Sequence, residues 1–358
     1  MKVVVTGATG SIGTAFVRLA RALPWQVVGL ARRTPTADTG EHAGVSWVSC
    51  ELGAPDAEDR LRAVFADAAA VVHLAWAIQP RRGDPPMRRT NIRGTRQVLH
   101  AAALAGVPHV VCASSVAAYT PGNRWQRVDE NWPLGGIPDS AYSRGKAELE
   151  QLLDGFALAH PRVRLARIRP AAVVQHDAGG QILRWTLSPL VPPGLVGRSW
   201  LPVPVWPGLR AQIVHADDVA EALRLIVANR VAGQFNLAAE PVLGADQLAR
   251  LLGGFPVPLP RAVWAALAWP SWRVGVQPAH PGWLALADRA CLVTTSRARE
   301  VLDWRPRHDA VRALADLVAG MARGAGTATG ALAPLDHTGL TERVRGMRLG
   351  RPSHQSQR

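Results

Sequence analysis

The sequence predicts an α/β protein: a doubly wound parallel sheet followed by a smaller, mixed lobe toward the C-terminus. Three observations predict it. Val3-Val4-Val5 is a short β-branched run, the pattern of a strand buried on both faces. Gly7, Gly10 and Gly13 follow at three-residue intervals and lead into a helical pattern that starts near Ser11 and places Ile12, Ala15, Phe16 and Leu19 on its apolar side. Short apolar runs then alternate with helical stretches as far as Pro170, as strands joined by crossover helices do.

The first turn sets the chemistry. Its spacing is G-x-x-G-x-x-G, not the G-x-G-x-x-G of simpler dinucleotide folds. At a strand-to-helix turn, glycine permits the bend and lets backbone N–H groups approach a pyrophosphate. The last glycine lets the helix pack close to the sheet, and the helix N-terminus favours negative charge. The stretch therefore predicts a Rossmann-type dinucleotide site on Gly7, Thr9, Gly10, Ser11, Ile12 and Gly13. Residues 26–30 read as the second strand and end in Ala31-Arg32-Arg33. An acidic side chain there would accept hydrogen bonds from an adenosine ribose; two arginines suit a 2′-phosphate. NADP(H) is favoured, with NAD(H) as the alternative.

The third strand is expected over 45–48, followed by Cys50-Glu51-Leu52, and the fourth over 70–75. His73 is the polar residue of that fourth strand and reads as a hydrogen-bonded core residue. A helix through Asn91, Gly94 and Val98 leads to the fifth strand, 107–113, which ends in Ser114-Ser115. Residues 120–140 form a long loop, a length that is usually functional in a compact domain. A helix from Ala141 to about Ala159 carries Tyr142 and Lys146, and the sixth strand, 163–168, ends in Arg169-Pro170.

Beyond Pro170 the pattern loosens. Helices are expected over 179–190, 244–252, 261–269, 295–302 and 310–321, with a strand over 212–214. Another helix should start at 215–219, capped by Asp217 or Asp218, and 235–237 should return to the sheet. The apolar helix 261–269 is too short to span a membrane and reads as a pocket wall or an exposed docking patch. Residues 1–170 thus form a dinucleotide-binding domain to which 211–240 returns. Residues 171–322 are mainly a substrate lobe, and 323–358 form a flexible basic tail.

Composition narrows the class. A hydrophobic fraction of 48% with 19% charged residues describes a folded chain, not a disordered one. The net charge of +14 comes from arginines scattered along the chain, not from a clustered stripe, so nucleic-acid binding is not expected. Cys50, Cys112 and Cys291 lack metal-ligand spacing and read as reduced thiols of a cytoplasmic protein; no metal site is expected. The longest apolar stretch, 101–118, is broken by Pro108, His109 and two serines, so no integral membrane segment is expected.

Tyr142-Ser-Arg-Gly-Lys146 places a phenol and an ammonium four residues apart, on one face of a helix. A phenol titrates near pH 10, and a neighbouring cation lowers that value and makes the oxygen a usable proton donor or acceptor. Lys2 and Lys146 are the only lysines among 41 basic residues, and Tyr119 and Tyr142 the only tyrosines, so the pairing of Tyr142 with Lys146 is unlikely to be chance. Ser115 ends the fifth strand, at the edge where doubly wound sheets bind ligands, and is suited to hold a substrate oxygen beside Tyr142.

With these residues in view, the chain resembles the extended short-chain dehydrogenase/reductases of the NAD-dependent epimerase/dehydratase family. The resemblance rests on TGATGSIG (6–13), His73-Leu74-Ala75, the Asn91-x-x-Gly-Thr95 helix, SSVAAY (114–119), YSRGK (142–146), Arg169-Pro170, VHADDVA (214–220) and TSRAREVLDWRP (295–306), in order over about 320 residues. It implies Ser115, Tyr142 and Lys146 as catalytic residues. Tyr142 would exchange the proton, Lys146 would bind the nicotinamide ribose and tune Tyr142, and Ser115 would orient the substrate oxygen. It selects Ser115 over Ser114 because the serine of this motif stands four before Tyr119. It also implies that Glu51, Leu52, Leu74, Ala75, Asn91 and Arg169 join the glycine turn in binding the cofactor. Two departures weigh against a sugar-nucleotide substrate: the segment 169–175 lacks the asparagine that holds the nucleotide, and Gln175-His176 stands where a glycine is usual. The expected activity is hydride transfer between NADP(H) and a ketone or secondary alcohol of a small organic molecule. An NAD-retaining nucleotide-sugar epimerase or dehydratase is the alternative, and a non-catalytic dinucleotide sensor the third reading. The small-molecule substrate is the expected partner, with a homodimer as a further option.

Overall fold

Val3, Val4 and Val5 are fully buried in an inner strand of a seven-stranded parallel sheet in the computed structural model. The structure describes residues 1–35, 43–78, 87–186, 194, 196–274 and 280–335. The strands are β1 (Lys2–Thr6), β2 (Gln26–Ala31), β3 (Ser46–Ser49), β4 (Ala70–His73), β5 (His109–Ala113), β6 (Arg164–Pro170) and β7 (Gly233–Leu237), in the order β7-β6-β5-β4-β1-β2-β3. Val4 pairs in register with Val28 of β2 and Val71 of β4. The strand order reverses at β1, which opens a crevice between the carboxyl ends of β1 and β4.

Helices cover both faces. Helix α1 (Ser11–Ala20) lies on one face, and α2 (Ala57–Phe65), α3 (Gly94–Leu104) and α4 (Ala141–Ala159) on the other. After α5 (Gly179–Thr186), helix α6 (Ala216–Asn229) returns to pack on α1. The expected helix 179–190 is seen as far as Thr186, and 187–190 lie outside the described residues. Then come α7 (Ala245–Leu251), α8 (Arg261–Arg273), α9 (Pro281–Arg289), α10 (Ser296–Leu302) and α11 (Ala310–Arg323). A second, three-stranded sheet (Ala239–Gly244, Arg210–His215, Ala172–Val174) shares an apolar core with α5 and α11. The strand predicted over 212–214 thus belongs to this second sheet, whereas 235–237 does join the main one.

Two expectations are corrected. His215, not Asp217 or Asp218, caps α6: its Nδ1 accepts from Asp217 N at 3.1 Å. The Asp218 carboxylate instead accepts from the backbone N–H of Arg307 and His308, because the C-terminal chain crosses this helix start. Beyond Arg323, the described part of the expected flexible tail forms no helix or strand but is packed. Residues 324–335 pack as a closed loop with Leu332 fully buried, and 336–358 lie outside the described residues. Helix α8 buries none of its side chains completely, and Leu267 and Trp269 are exposed. Among the described residues no helix is long and apolar enough to cross a membrane.

The glycine turn separates two roles. A Cβ at Gly13 would overlap the Gly7 carbonyl oxygen, whereas one at Gly10 meets only that oxygen, at 3.3 Å. Gly13→Ala should therefore destabilise the fold by about 1–3 kcal/mol in urea denaturation. Gly10→Ala should leave stability nearly unchanged while weakening dinucleotide binding, because its methyl group would project into the crevice.

Candidate active site

Gly7 has a left-handed φ of +70° and donates its N–H to Leu30 O at 3.0 Å, while Leu74 N–H reaches Thr6 O at 3.0 Å. The turn is thereby bound to β2 on one side and to the end of β4 on the other, and a Cβ at Gly7 would strike the Ala75 backbone. Helix α1 begins at Ser11 with no side chain capping its first N–H groups. Its unmet donors and positive end face the crevice, the arrangement that fits a pyrophosphate. Gln175 donates from Nε2 to both Ser11 O and Ser11 Oγ and so ties the second lobe to this helix start.

The other expected cofactor residues fall into four groups. Arg32 and Arg33 are exposed at the end of β2, and among the described residues no ion pair engages either. Leu74 and Ala75 line the crevice against the glycine turn, Leu52 packs on Gly94, and Glu51 lies 3.9 Å from the Arg89 guanidinium. Asn91 is buried, and its amide clamps Ala77 through N–H···Oδ1 at 2.6 Å and Nδ2–H···O at 2.9 Å, so it shapes the loop after β4. Arg169 is engaged elsewhere. It is buried and donates to Glu150 (2.7 and 3.0 Å), Tyr119 Oη (3.0 Å) and Glu130 O (2.8 Å).

Ser115, Tyr142 and Lys146 come together at the ends of β5 and α4. Ser140 caps α4, and Ser143 Oγ donates to Ala117 O at 2.5 Å while accepting from Ile137 N–H at 2.6 Å. These bonds dock the first turn of α4 against the turn after β5, which brings Tyr142 close enough to the Ser115 hydroxyl for Ser115 to favour the phenolate. Ser114 lies instead beside Glu150. Lys146 is buried, donates to Ala113 O at 2.9 Å and sits 5.9 Å from the Tyr142 ring centre.

The electrostatics differ from the expected ones. Burial raises the Tyr142 phenol above its ordinary value, and the Ser115 hydroxyl only partly offsets this. Burial brings Lys146 down to about 7, against the attraction of Glu150. The anticipated lowering of Tyr142 by a nearby ammonium is therefore not the dominant effect in the protein alone. Burial also works against the Glu150 carboxylate, but the Arg169 and Arg167 guanidinium groups hold it below its usual range. His73 is pushed down to about 3, first by burial and then by the Lys146 charge, and is neutral. Thr95 Oγ1 donates to Asn91 O, so it accepts from His73 Nε2 at 2.8 Å, and His73 Nδ1 accepts from Thr6 Oγ1 at 2.6 Å. His73 is a structural clamp between β1 and α3, as its setting in an apolar strand implied.

Two tryptophans at this site carry no recognisable sequence signal. The Trp76 ring lies 3.7 Å from Lys146 Nζ, a cation–π contact. Trp283 of α9 packs on Tyr142 with ring centres 5.3 Å apart. Trp76 follows His73-Leu74-Ala75 directly, so its proximity to the motif was the one available hint. Trp283 and Gln175 arrive from distant segments.

A profile of the NAD dependent epimerase/dehydratase family matches residues 3–238. The chain belongs to this family. As an NAD(P)-dependent epimerase/dehydratase-family protein it is 29% identical over 328 residues to a 3-diazoavenalumate denitrifying reductase of Streptomyces sp, covering 87% of this chain and 98% of that protein. It is 29% identical over 153 residues to a 4-hydroxy-2-methyl-3-oxo-4-farnesyl-3,4-dihydroquinoline-1-oxide ketoreductase of Stigmatella aurantiaca, 43% of this chain and 45% of that one. Among solved structures, MoeE5 in complex with UDP-glucuronic acid and NAD is similar with a TM-score of 0.66 at 20% identity, over 90% of this chain and 99% of that one. That likeness is one of fold.

The buried lysine gives a signed pH prediction. An unfolded lysine titrates near pH 10.4, whereas Lys146 in the fold titrates at about 7. Between these values the unfolded chain holds a proton that the folded chain lacks, so stability rises with pH across the window. The unfolding free energy of the wild type minus that of Lys146→Met, measured by urea denaturation, should increase from about pH 7 to about pH 9.5. A difference that is flat or falls would show that Lys146 is not desolvated.

Proposed function

We propose that this protein is an NADPH-dependent reductase that interconverts the ketone and secondary alcohol of a small, apolar, aromatic substrate. The observation that carries the reading is the Ser115–Tyr142 hydroxyl pair beside buried Lys146 at the carboxyl edge of the sheet. Bound nicotinamide would supply or accept the hydride. Tyr142, kept protonated by burial, is ready at neutral pH to give its proton to a carbonyl oxygen, which favours the reductive direction. Ser115 Oγ would hold the same oxygen. The backbone of Gly10, Ser11 and Ile12 would hold the pyrophosphate, Lys146 the nicotinamide ribose, and Arg32 and Arg33 the 2′-phosphate.

Trp76 and Trp283 flank the catalytic pair with flat apolar surfaces, which supports an aromatic substrate. The names of the reductase and ketoreductase relatives are consistent with it. A nucleotide-sugar epimerase that keeps NAD through its cycle is the second reading, favoured by similar folds solved with UDP-sugars and NAD. Against it, segment 169–175 offers no asparagine, and Gln175 is bound to Ser11.

Cofactor choice separates the two. Charge-assisted hydrogen bonds to a 2′-phosphate are worth roughly 1.5–3 kcal/mol each. The wild type should therefore bind NADPH about 10- to 100-fold more tightly than NADH, and the Arg32→Ala/Arg33→Ala variant should lose that preference. Equal wild-type affinities, read by fluorescence titration, would move the assignment to the epimerase.

Turnover tests the proton donor. In NADPH oxidation with a panel of aryl ketones, Tyr142→Phe should lower kcat by on the order of 10²–10⁴ with NADPH binding retained. Ser115→Ala should impair turnover more than Ser114→Ala. Unchanged kcat in Tyr142→Phe would remove Tyr142 from the mechanism.

A further inference from the structure

Residues 324–335 form a closed loop after α11. Leu335 N–H returns to Gly324 O at 2.9 Å, and Thr327 N–H meets Leu332 O at 2.8 Å. The loop is anchored in the second lobe. Leu332 is fully buried in the core shared with α11, and α5 holds the loop backbone through Gly180 N–H to Ala325 O at 2.7 Å and Gln181 Nε2–H to Ala331 O at 2.9 Å. Its tip, however, lies on the other domain. Thr329 Oγ1 donates to Thr9 O at 3.1 Å, inside the glycine turn. That bond commits the only Thr329 hydroxyl proton, so the 2.8 Å contact with Thr327 Oγ1 has Thr327 as donor. Both hydroxyls are thus satisfied within the loop-to-turn junction, and Thr329 is 2% exposed. The next residue, Gly330, backs onto Arg33: a Cβ there would stand 3.0 Å from the guanidinium Nη2.

One loop therefore touches both features that define the adenosine half of a dinucleotide site, the turn that receives the pyrophosphate and the residues that follow β2. We infer that residues 324–335 are a cofactor strap, which closes the outer side of the adenosine half of the crevice and holds the Thr9 peptide and Arg33 in their binding positions. The inference rests on the dinucleotide reading of the glycine turn and does not require the reductase assignment. Thr329 and Gly330 are positioning residues. Thr329 immobilises the turn before the ligand arrives, which lowers the ordering cost of binding. Gly330 leaves the room in which the Arg33 guanidinium lies, and so acts on NADPH and not on NADH.

The two residues give separable signatures. Dissociation of NADPH and of NADH from the full-length protein is measured by stopped-flow fluorescence. Thr329→Val should accelerate release of both dinucleotides by about 3- to 10-fold, the effect of one lost hydrogen bond. Gly330→Val should weaken NADPH binding while leaving NADH binding within about twofold of the wild type, because the added side chain displaces only the arginine tip. Deletion of 324–358 should combine both effects, and thermal melting of the two point variants controls for folding. Wild-type release rates in both point variants would overturn the strap. Tighter binding after the deletion would overturn it too, because the loop would then be an occupant of the site and not its wall. A wild type that binds neither dinucleotide would overturn the underlying reading of the turn, an outcome distinct from either.

Discussion

The approach of Gly13 to the Gly7 carbonyl is the constraint on which the rest of the site depends. Helix α1 is seated on the turn so closely that a methyl group at Gly13 has no place. That seat aims the uncapped N-terminus of α1 over the carboxyl edge of β1. Every other part of the crevice is then built against the turn: Ala75 from the end of β4, Gln175 from the second lobe and Thr329 from the chain's far end. Three segments remote in sequence use the same eight-residue turn as their reference surface, so a shift of α1 would misplace all of them at once.

The surroundings of Tyr142 and Lys146 are organised differently, by buried charge. Lys146, Glu150, Arg167 and Arg169 are all withdrawn from water. Glu150 is the buried carboxylate among them: it pairs with Arg169 at 2.7 Å and Arg167 at 3.0 Å, and its charge also favours the Lys146 ammonium, while the more exposed Asp154 pairs with Arg167 at 2.6 Å. Removing one member of such a set leaves an uncompensated buried charge, which is strongly destabilising. Arg169 therefore belongs to the framework that holds β6 against α4 and the 120–140 loop, through its bonds to Glu150, Tyr119 and Glu130. The long loop has a structural task here, since its Glu130 also accepts from Asn236 N–H of β7 at 2.8 Å.

The two lobes are joined by polar contacts at the mouth of the crevice, where a ligand would lie. Gln175 on Ser11 and Thr329 on Thr9 both end on the glycine turn. Trp283 reaches Tyr142 from α9. Segments after Pro170 thus reach both the glycine turn and Tyr142 through different residues.

Much of this protein was legible in its sequence because the deciding physics is local. A β-branched strand, glycines at three-residue spacing and a helix start are neighbours in the chain, so their joint meaning survives without a fold. Tyr142 and Lys146 share a helix face for the same reason. Tertiary structure decided whatever depended on burial or on distant partners. The ionisation of Lys146 and Tyr142 follows from how deeply they are enclosed, which spacing does not express. His215 replaced Asp218 as the helix cap because the 307–308 backbone claimed the Asp218 carboxylate. The segment 324–335, rich in glycine, alanine and threonine, looks like a loose tail when read residue by residue. It is ordered because Leu332 finds a core and Thr329 finds Thr9, 320 residues away.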